Sequence, residues 1–178
     1  MEHHKIIFTG PVGAGKTTAI TTVSDIPSVA TDARATDMTA ERKDQTTVAM
    51  DYGMLKIGKD ERIHLYGTPG QERFDFMWDI LTEGGIGLVL LVDNTRANPF
   101  EDMRFFLSAF EEFIVQTGVV IGVTRMDLRA TPSIGEYHEQ LFGIGLNPPV
   151  FQVDARERAD VALLVQALLY SLDPGLSD

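Results

Sequence analysis

Gly10-Pro11-Val12-Gly13-Ala14-Gly15-Lys16-Thr17 carries the clearest chemistry in the chain. It fits the pattern G-x-x-x-x-G-K-[ST] at every defined position. Glycines at these spacings let successive backbone N–H groups turn inward as an anion-binding nest, with Gly13, Ala14 and Gly15 along its wall. Lys16 would bring a point charge to the β- and γ-phosphates of a nucleotide, and the Thr17 hydroxyl is a Mg²⁺ ligand. Thr18 follows on a helix whose positive N-terminal end faces the same phosphates.

Further chemistry-bearing segments follow in order. Thr46-Thr47 precede Val48-Ala49-Met50-Asp51-Tyr52, and Leu65-Tyr66-Gly67-Thr68-Pro69-Gly70-Gln71-Glu72-Arg73-Phe74 comes next. Thr124-Arg125-Met126-Asp127 and Val153-Asp154-Ala155-Arg156 close the series. Together with the P-loop, these segments resemble the Ras-like small GTPases, in the Rab-like form and closest to bacterial members. The resemblance covers nearly the whole chain.

That resemblance implies roles residue by residue. Thr47, or its neighbour Thr46, would be the switch I threonine that joins Thr17 on Mg²⁺ when the γ-phosphate is present. Gly70 would offer its backbone N–H to that phosphate, and Gln71 would orient the attacking water. Thr124-Arg125-Met126-Asp127 resembles the N/T-K-x-D motif, whose aspartate accepts from guanine N1 and N2. Adenine lacks that donor set, so a carboxylate here selects against it. Arg125 would lie along the base. Ala155 and Arg156 occupy the place of the S-A-K motif, whose alanine N–H reads guanine O6.

Two positions depart from the pattern. Gly67 stands where the family has the aspartate that supports Mg²⁺ through water, and Asp51 is one candidate to replace it. Val12 stands where Ras has glycine, which puts in question the access of an arginine finger from a partner. Arg34 and Arg42 are candidates for an arginine acting in cis.

The elements that must position these residues alternate. An apolar run at residues 6–8 reads as a strand, followed by a helix over 16–23. Residues 24–45, rich in Asp and Thr, read as a long loop. Residues 47–57 and 62–66 read as a hairpin turning at Gly58-Lys59-Asp60. Strands follow at 86–92, 119–123 and 150–153. A helix opens at Asn98 and Pro99 and continues through Phe106, Phe110 and Ile114. Shorter helical signal spans 133–141, and Val161 to Leu172 forms the apolar face of a final helix. The pattern predicts a three-layer α/β P-loop domain, residues 1–178, with a mostly parallel six-stranded sheet and one antiparallel edge strand.

Composition narrows the function classes. The chain has 178 residues, 44% of them apolar, with a net charge of −11. Such acidity argues against a nucleic-acid surface. The absence of cysteine excludes disulfides, thiolate metal sites, prenylation and palmitoylation. The first residues show neither a signal-peptide pattern nor a myristoylation glycine, so a cytoplasmic protein without a direct membrane anchor is expected. The histidines, His3, His4, His64 and His138, are scattered, and the first two read as a disordered tip. Phe74, Phe76, Met77 and Trp78 cluster after Gln71, as either core or a partner-docking surface.

The resemblance therefore implies a GTP/GDP switch with slow GTPase activity, Lys16 and Gln71 as its catalytic residues, and Mg²⁺ as cofactor. Effector, exchange and activating proteins would meet it at the switch regions, as in a signalling protein. The alternatives are a nucleotide-dependent binding module without hydrolysis, and a P-loop ATPase or kinase.

Overall fold

The computed structural model describes residues 2–34, 47–68 and 75–172. The elements run β1 (Glu2–Thr9), α1 (Lys16–Val23), β2 (Val29–Arg34), β3 (Thr47–Ile57), β4 (Glu61–Gly67) and α2 (Asp75–Thr82). They continue with β5 (Gly87–Asp93), α3 (Pro99–Ala109), α4 (Glu111–Gln116), β6 (Val119–Thr124), α5 (Ile134–Gly143), β7 (Val150–Gln152) and α6 (Arg158–Leu172). The sheet order is β2-β3-β4-β1-β5-β6-β7.

Pairing is parallel from β4 through β7, and β3 runs against both of its neighbours. The α/β, mostly parallel reading agrees with this sheet, and the Gly58 turn closes the β3–β4 hairpin with a φ of +60°. One strand was not foreseen. Val29–Arg34, inside the segment read as loop, pairs along residues 47–52 of β3, so among the described residues the sheet has seven strands and β2 takes the edge. Val-Ala-Thr-Asp-Ala-Arg has no apolar run, and its strand character comes from backbone pairing with a distant partner.

β1 is also longer than its apolar stretch. Its pairing with β4 begins at Glu2↔Glu61, so His3 and His4 belong to the sheet rather than to a loose tip. The ring of His3 stacks on that of His64 at 5.0 Å.

Period-two alternation sorts the core. Ile6 and Phe8 face one way, with Ile20, Leu65, Leu164 and Leu168. Ile7 faces the other, with Trp78, Met103, Phe106 and Tyr137. β5 is buried along its whole length, as expected of a central parallel strand covered on both faces.

Helix starts follow local chemistry. The Asn98 side chain accepts from the Glu101 N–H at 3.2 Å, with Pro99 in the first turn. Ser133 and Glu136 form a reciprocal capping box on α5. The long helix expected after Asn98 breaks at Phe110 (φ −104°, ψ 18°), where its ring stacks on Trp78 at 5.1 Å. Among the described residues, no helix is long and apolar enough to cross a membrane.

Candidate nucleotide-binding site

The strand order reverses direction at β1, with β4 on one side and β5 on the other. In open α/β sheets, ligands sit at such a switch point, beyond the carboxyl ends of the strands. The P-loop leaves β1 there. A Cβ on Gly10 (φ +146°) would collide with the Leu91 carbonyl, so only glycine lets the loop pass so close to β5. Gly13 and Gly15 also take positive φ, +81° and +106°, the backbone turn that an inward-facing nest requires. Gly15 then opens α1 as its N-cap, and a Cβ there would lie 3.1 Å from that of Ala155. The phosphate loop and the 154–156 loop are thus in direct apposition.

Lys16 is buried, and its ammonium donates to the carbonyls of Gly10 (2.6 Å) and Pro11 (2.9 Å). Burial pushes its pKa down to about 8, against the opposing pull of the Asp51 carboxylate and with help from Arg96. A cation held this way has a strong preference for an incoming anion. Val12, 57% exposed, projects into solvent at the rim of the loop.

The Thr17 hydroxyl donates to Asp51 Oδ2 at 2.5 Å. Asp51 lies on β3 directly opposite Gly67 of β4. Opposed residues on an antiparallel pair share a face of the sheet, so Asp51 occupies the face on which a side chain at 67 would project. A Cβ at Gly67 would come within 3.2 Å of the Asp51 Cβ and 3.4 Å of its Oδ2. The carboxylate missing from the end of β4 is therefore supplied one strand away. A hydroxyl and a carboxylate are the hard oxygen donors that Mg²⁺ takes beside nucleotide phosphates, so these residues fit that ion. Thr47 begins β3, with its backbone paired to Arg34.

A second set of loops forms a cavity of about 290 Å³, lined by Ala14, Gly15, Thr18, Thr124, Arg125, Asp127, Leu128, Asp154, Ala155 and Arg156. Eight of these ten were expected at the nucleotide from sequence. Thr124 is buried, and its hydroxyl donates to Ala14 O (3.0 Å) or Val92 O (3.3 Å), tying the start of the 124–129 segment to the P-loop. Asp127 is exposed toward the cavity, in position to accept donors from a base edge. Arg156 holds Asp154 at 2.8 Å, and its hydrogen bonds bring the Asp154 carboxyl down to about 2.

Arg125 has a left-handed backbone (φ +61°), unusual for a side chain of that kind. Its guanidinium pairs with Asp93 at 2.5 Å. Burial raises the Asp93 carboxyl, but bonds from the Thr95 hydroxyl and N–H, together with Arg125, leave it below its usual value. Asp93 was not singled out from sequence. Its signal was visible: a carboxylate ending the most apolar strand, which needs a partner.

The remaining expected residues lie elsewhere. Thr46, Gly70, Gln71, Arg42 and Phe74 lie outside the described residues, and nothing of the side chains of Thr47, Arg34, Phe76 and Met77 is described. Trp78 is 3% exposed in the core, so this member of the cluster is packing rather than docking surface.

The profile of the P-loop family described as "Conserved hypothetical ATP binding protein" matches residues 8–143. The chain belongs to that family. It is 33% identical over 121 residues to the uncharacterized protein MJ1339 of Methanocaldococcus jannaschii, covering 67% of this chain and 70% of that one. It is 23% identical over 177 residues to the Ras-related protein RabC of Dictyostelium discoideum, covering 96% and 84%. Against the Ras-related protein Rab-27A of Sus scrofa it is 24% identical over 180 residues, covering 93% and 76%. This member of the family is a nucleotide-binding P-loop protein with distant Ras/Rab relatives.

Proposed function

We propose that this protein is a GTP/GDP switch with slow intrinsic hydrolysis. The observation that carries the reading is Asp127, a carboxylate presented to the cavity formed by the P-loop, Arg125 and Ala155. A carboxylate accepts two donors from one guanine edge, whereas adenine would leave it desolvated and unpaired. The family's description speaks of ATP, and the distant Rab relatives weigh toward guanine.

In this reading, phosphate oxygens replace the Gly10 and Pro11 carbonyls as partners of Lys16, and the N–H groups from Gly13 to Thr18 surround the phosphates. Thr17, Asp51 and Thr47 would hold Mg²⁺, directly or through water; the ion neutralises and orients the β- and γ-phosphates. Gln71 would orient the water that attacks the γ-phosphorus. Protein effectors and regulators would read the 47 and 70–77 regions of a cytoplasmic switch.

Val12 at the rim of the loop favours a second reading, a nucleotide-dependent binding module with little hydrolysis, because a branched side chain there crowds the approach of an outside arginine. The test is competition of GTP against ATP for the purified protein, followed by single-turnover hydrolysis beside Gln71→Leu. Guanine preference with turnover lost in the variant supports the switch. Preference for ATP overturns it, and equal, negligible turnover in both proteins favours the binding module.

A further inference from the structure

Asn94, one residue beyond β5, is fully buried and does not line the cavity. Both donors and the acceptor of its side-chain amide are nonetheless engaged. Nδ2 donates to the carbonyls of Arg129 (2.7 Å) and Pro132 (3.1 Å), and Oδ1 accepts from the Tyr137 hydroxyl at 2.7 Å. Its backbone N–H donates to Thr124 O at 3.1 Å.

The three contacts in which Asn94 donates fall on residues 124–132, the loop that carries Arg125 and Asp127, and the one in which it accepts comes from α5. Asp93 grips the start of that loop through Arg125. Asn94 grips its end. The Leu128 and Arg129 N–H groups both close onto Arg125 O at 3.1 Å, so the middle of the loop is a tight turn between two clamped ends. Tyr137, fully buried on α5 with Phe100 edge-on at 5.0 Å, fixes Asn94 against the core.

We infer that Asn94, seated by Tyr137, is the positioning residue for nucleobase recognition, acting with Asp93 as a two-point latch that holds Asp127 and Arg125 at the base. The inference rests on the cavity being the base site and not on which base enters it. A carboxylate discriminates by direction, so a loop that shifts by a fraction of an ångström loses selectivity before it loses its fold. The left-handed Arg125 makes the latch necessary, since that backbone persists only where the surroundings over-determine it.

The experiment compares wild type, Asn94→Ala and Tyr137→Phe for binding of GDP, ADP and inorganic tripolyphosphate, the last engaging the P-loop without a base. Hydrogen exchange over residues 125–132 is followed in parallel. Asn94→Ala should weaken GDP binding by about tenfold or more, the factor that one or two net hydrogen bonds carry. Tripolyphosphate binding should stay within about twofold, below the weight of a single such bond. Exchange should quicken in the loop but not in β1 or β5.

Tyr137→Phe keeps both Asn94 donors and should give the same pattern at smaller amplitude; it serves as the readout if Asn94→Ala does not fold. Equal loss of GDP and tripolyphosphate binding, or unchanged GDP binding, would overturn the latch. If wild type binds ADP as tightly as GDP, guanine selectivity falls, while a loss of base-dependent binding in Asn94→Ala still supports the latch.

Discussion

The hydroxyl of Thr17 donates to the carboxylate of Asp51 across 2.5 Å, and Asp51 stands directly opposite Gly67 on the β3–β4 ladder. In the proposed reading, the Mg²⁺-supporting carboxylate that Ras-like proteins carry at the end of one strand is supplied by Asp51 on its neighbour. Asp51→Asn keeps the shape and removes the charge. It should weaken the Mg²⁺ dependence of GTP affinity by about 10–100-fold, the usual cost of losing a partner that orients metal ligands. Affinity measured without Mg²⁺ should change little. The exchange Asp51→Gly with Gly67→Asp moves the carboxylate back to β4 and should recover much of the loss, read by Mg²⁺ titration. Failure of both effects would remove Asp51 from the metal site.

Asp127→Asn replaces one acceptor oxygen with an amide donor. Discrimination between GTP and ATP should fall by about 1–3 kcal/mol, the worth of a good bidentate contact to a base edge. Tripolyphosphate binding should be untouched, because in the proposed reading Asp127, which lines the cavity, meets the base and not the phosphates. Competition binding of the purified variant measures both.

The lowered Lys16, at about 8 in the free protein, makes nucleotide affinity depend on pH. Phosphates favour the ammonium form, so the bound lysine titrates higher than the free one. Binding then takes up a proton between the two values. Affinity for GDP should be flat below about pH 8 and fall as pH rises above it, since deprotonated Lys16 must first regain its proton. Calorimetry in buffers of different ionisation enthalpy, at pH 7 and again above 8, measures the proton uptake. Affinity that holds constant through this range would show that Lys16 titrates elsewhere.

Trp78 sits on α2 with its ring stacked 5.1 Å from Phe110 and turned toward Phe105 and Phe106. Exchanging GDP for a non-hydrolysable GTP analogue should alter its fluorescence if α2 moves with the nucleotide. An unchanged spectrum would mean that α2 stays in place. Trp78→Ala should cost about 3–5 kcal/mol of stability, the range for deleting a buried large aromatic side chain.

Much of the site was legible because phosphate chemistry is local. Gly10 to Thr17 carries its own loop geometry in its glycines, and Asp127 and Ala155 follow strand ends that period-two apolar runs mark. What was not legible depended on partners distant in sequence. β2 is a strand because β3 offers it an unpaired edge, and His3 is ordered because β1 extends along β4. Asp93 and Asn94 read as the polar end of an apolar strand until Arg125, Arg129, Pro132 and Tyr137 are seen around them.

From the sequence by itself came the phosphate loop, the order of the nucleotide motifs and the α/β alternation, because each rests on spacings within a few residues. The tertiary structure alone decided where the carboxylate absent at position 67 is supplied. Strand register places Asp51 across from Gly67 and against Thr17, and register follows from the packing of the whole hairpin on α1, not from residues 51 and 67 themselves.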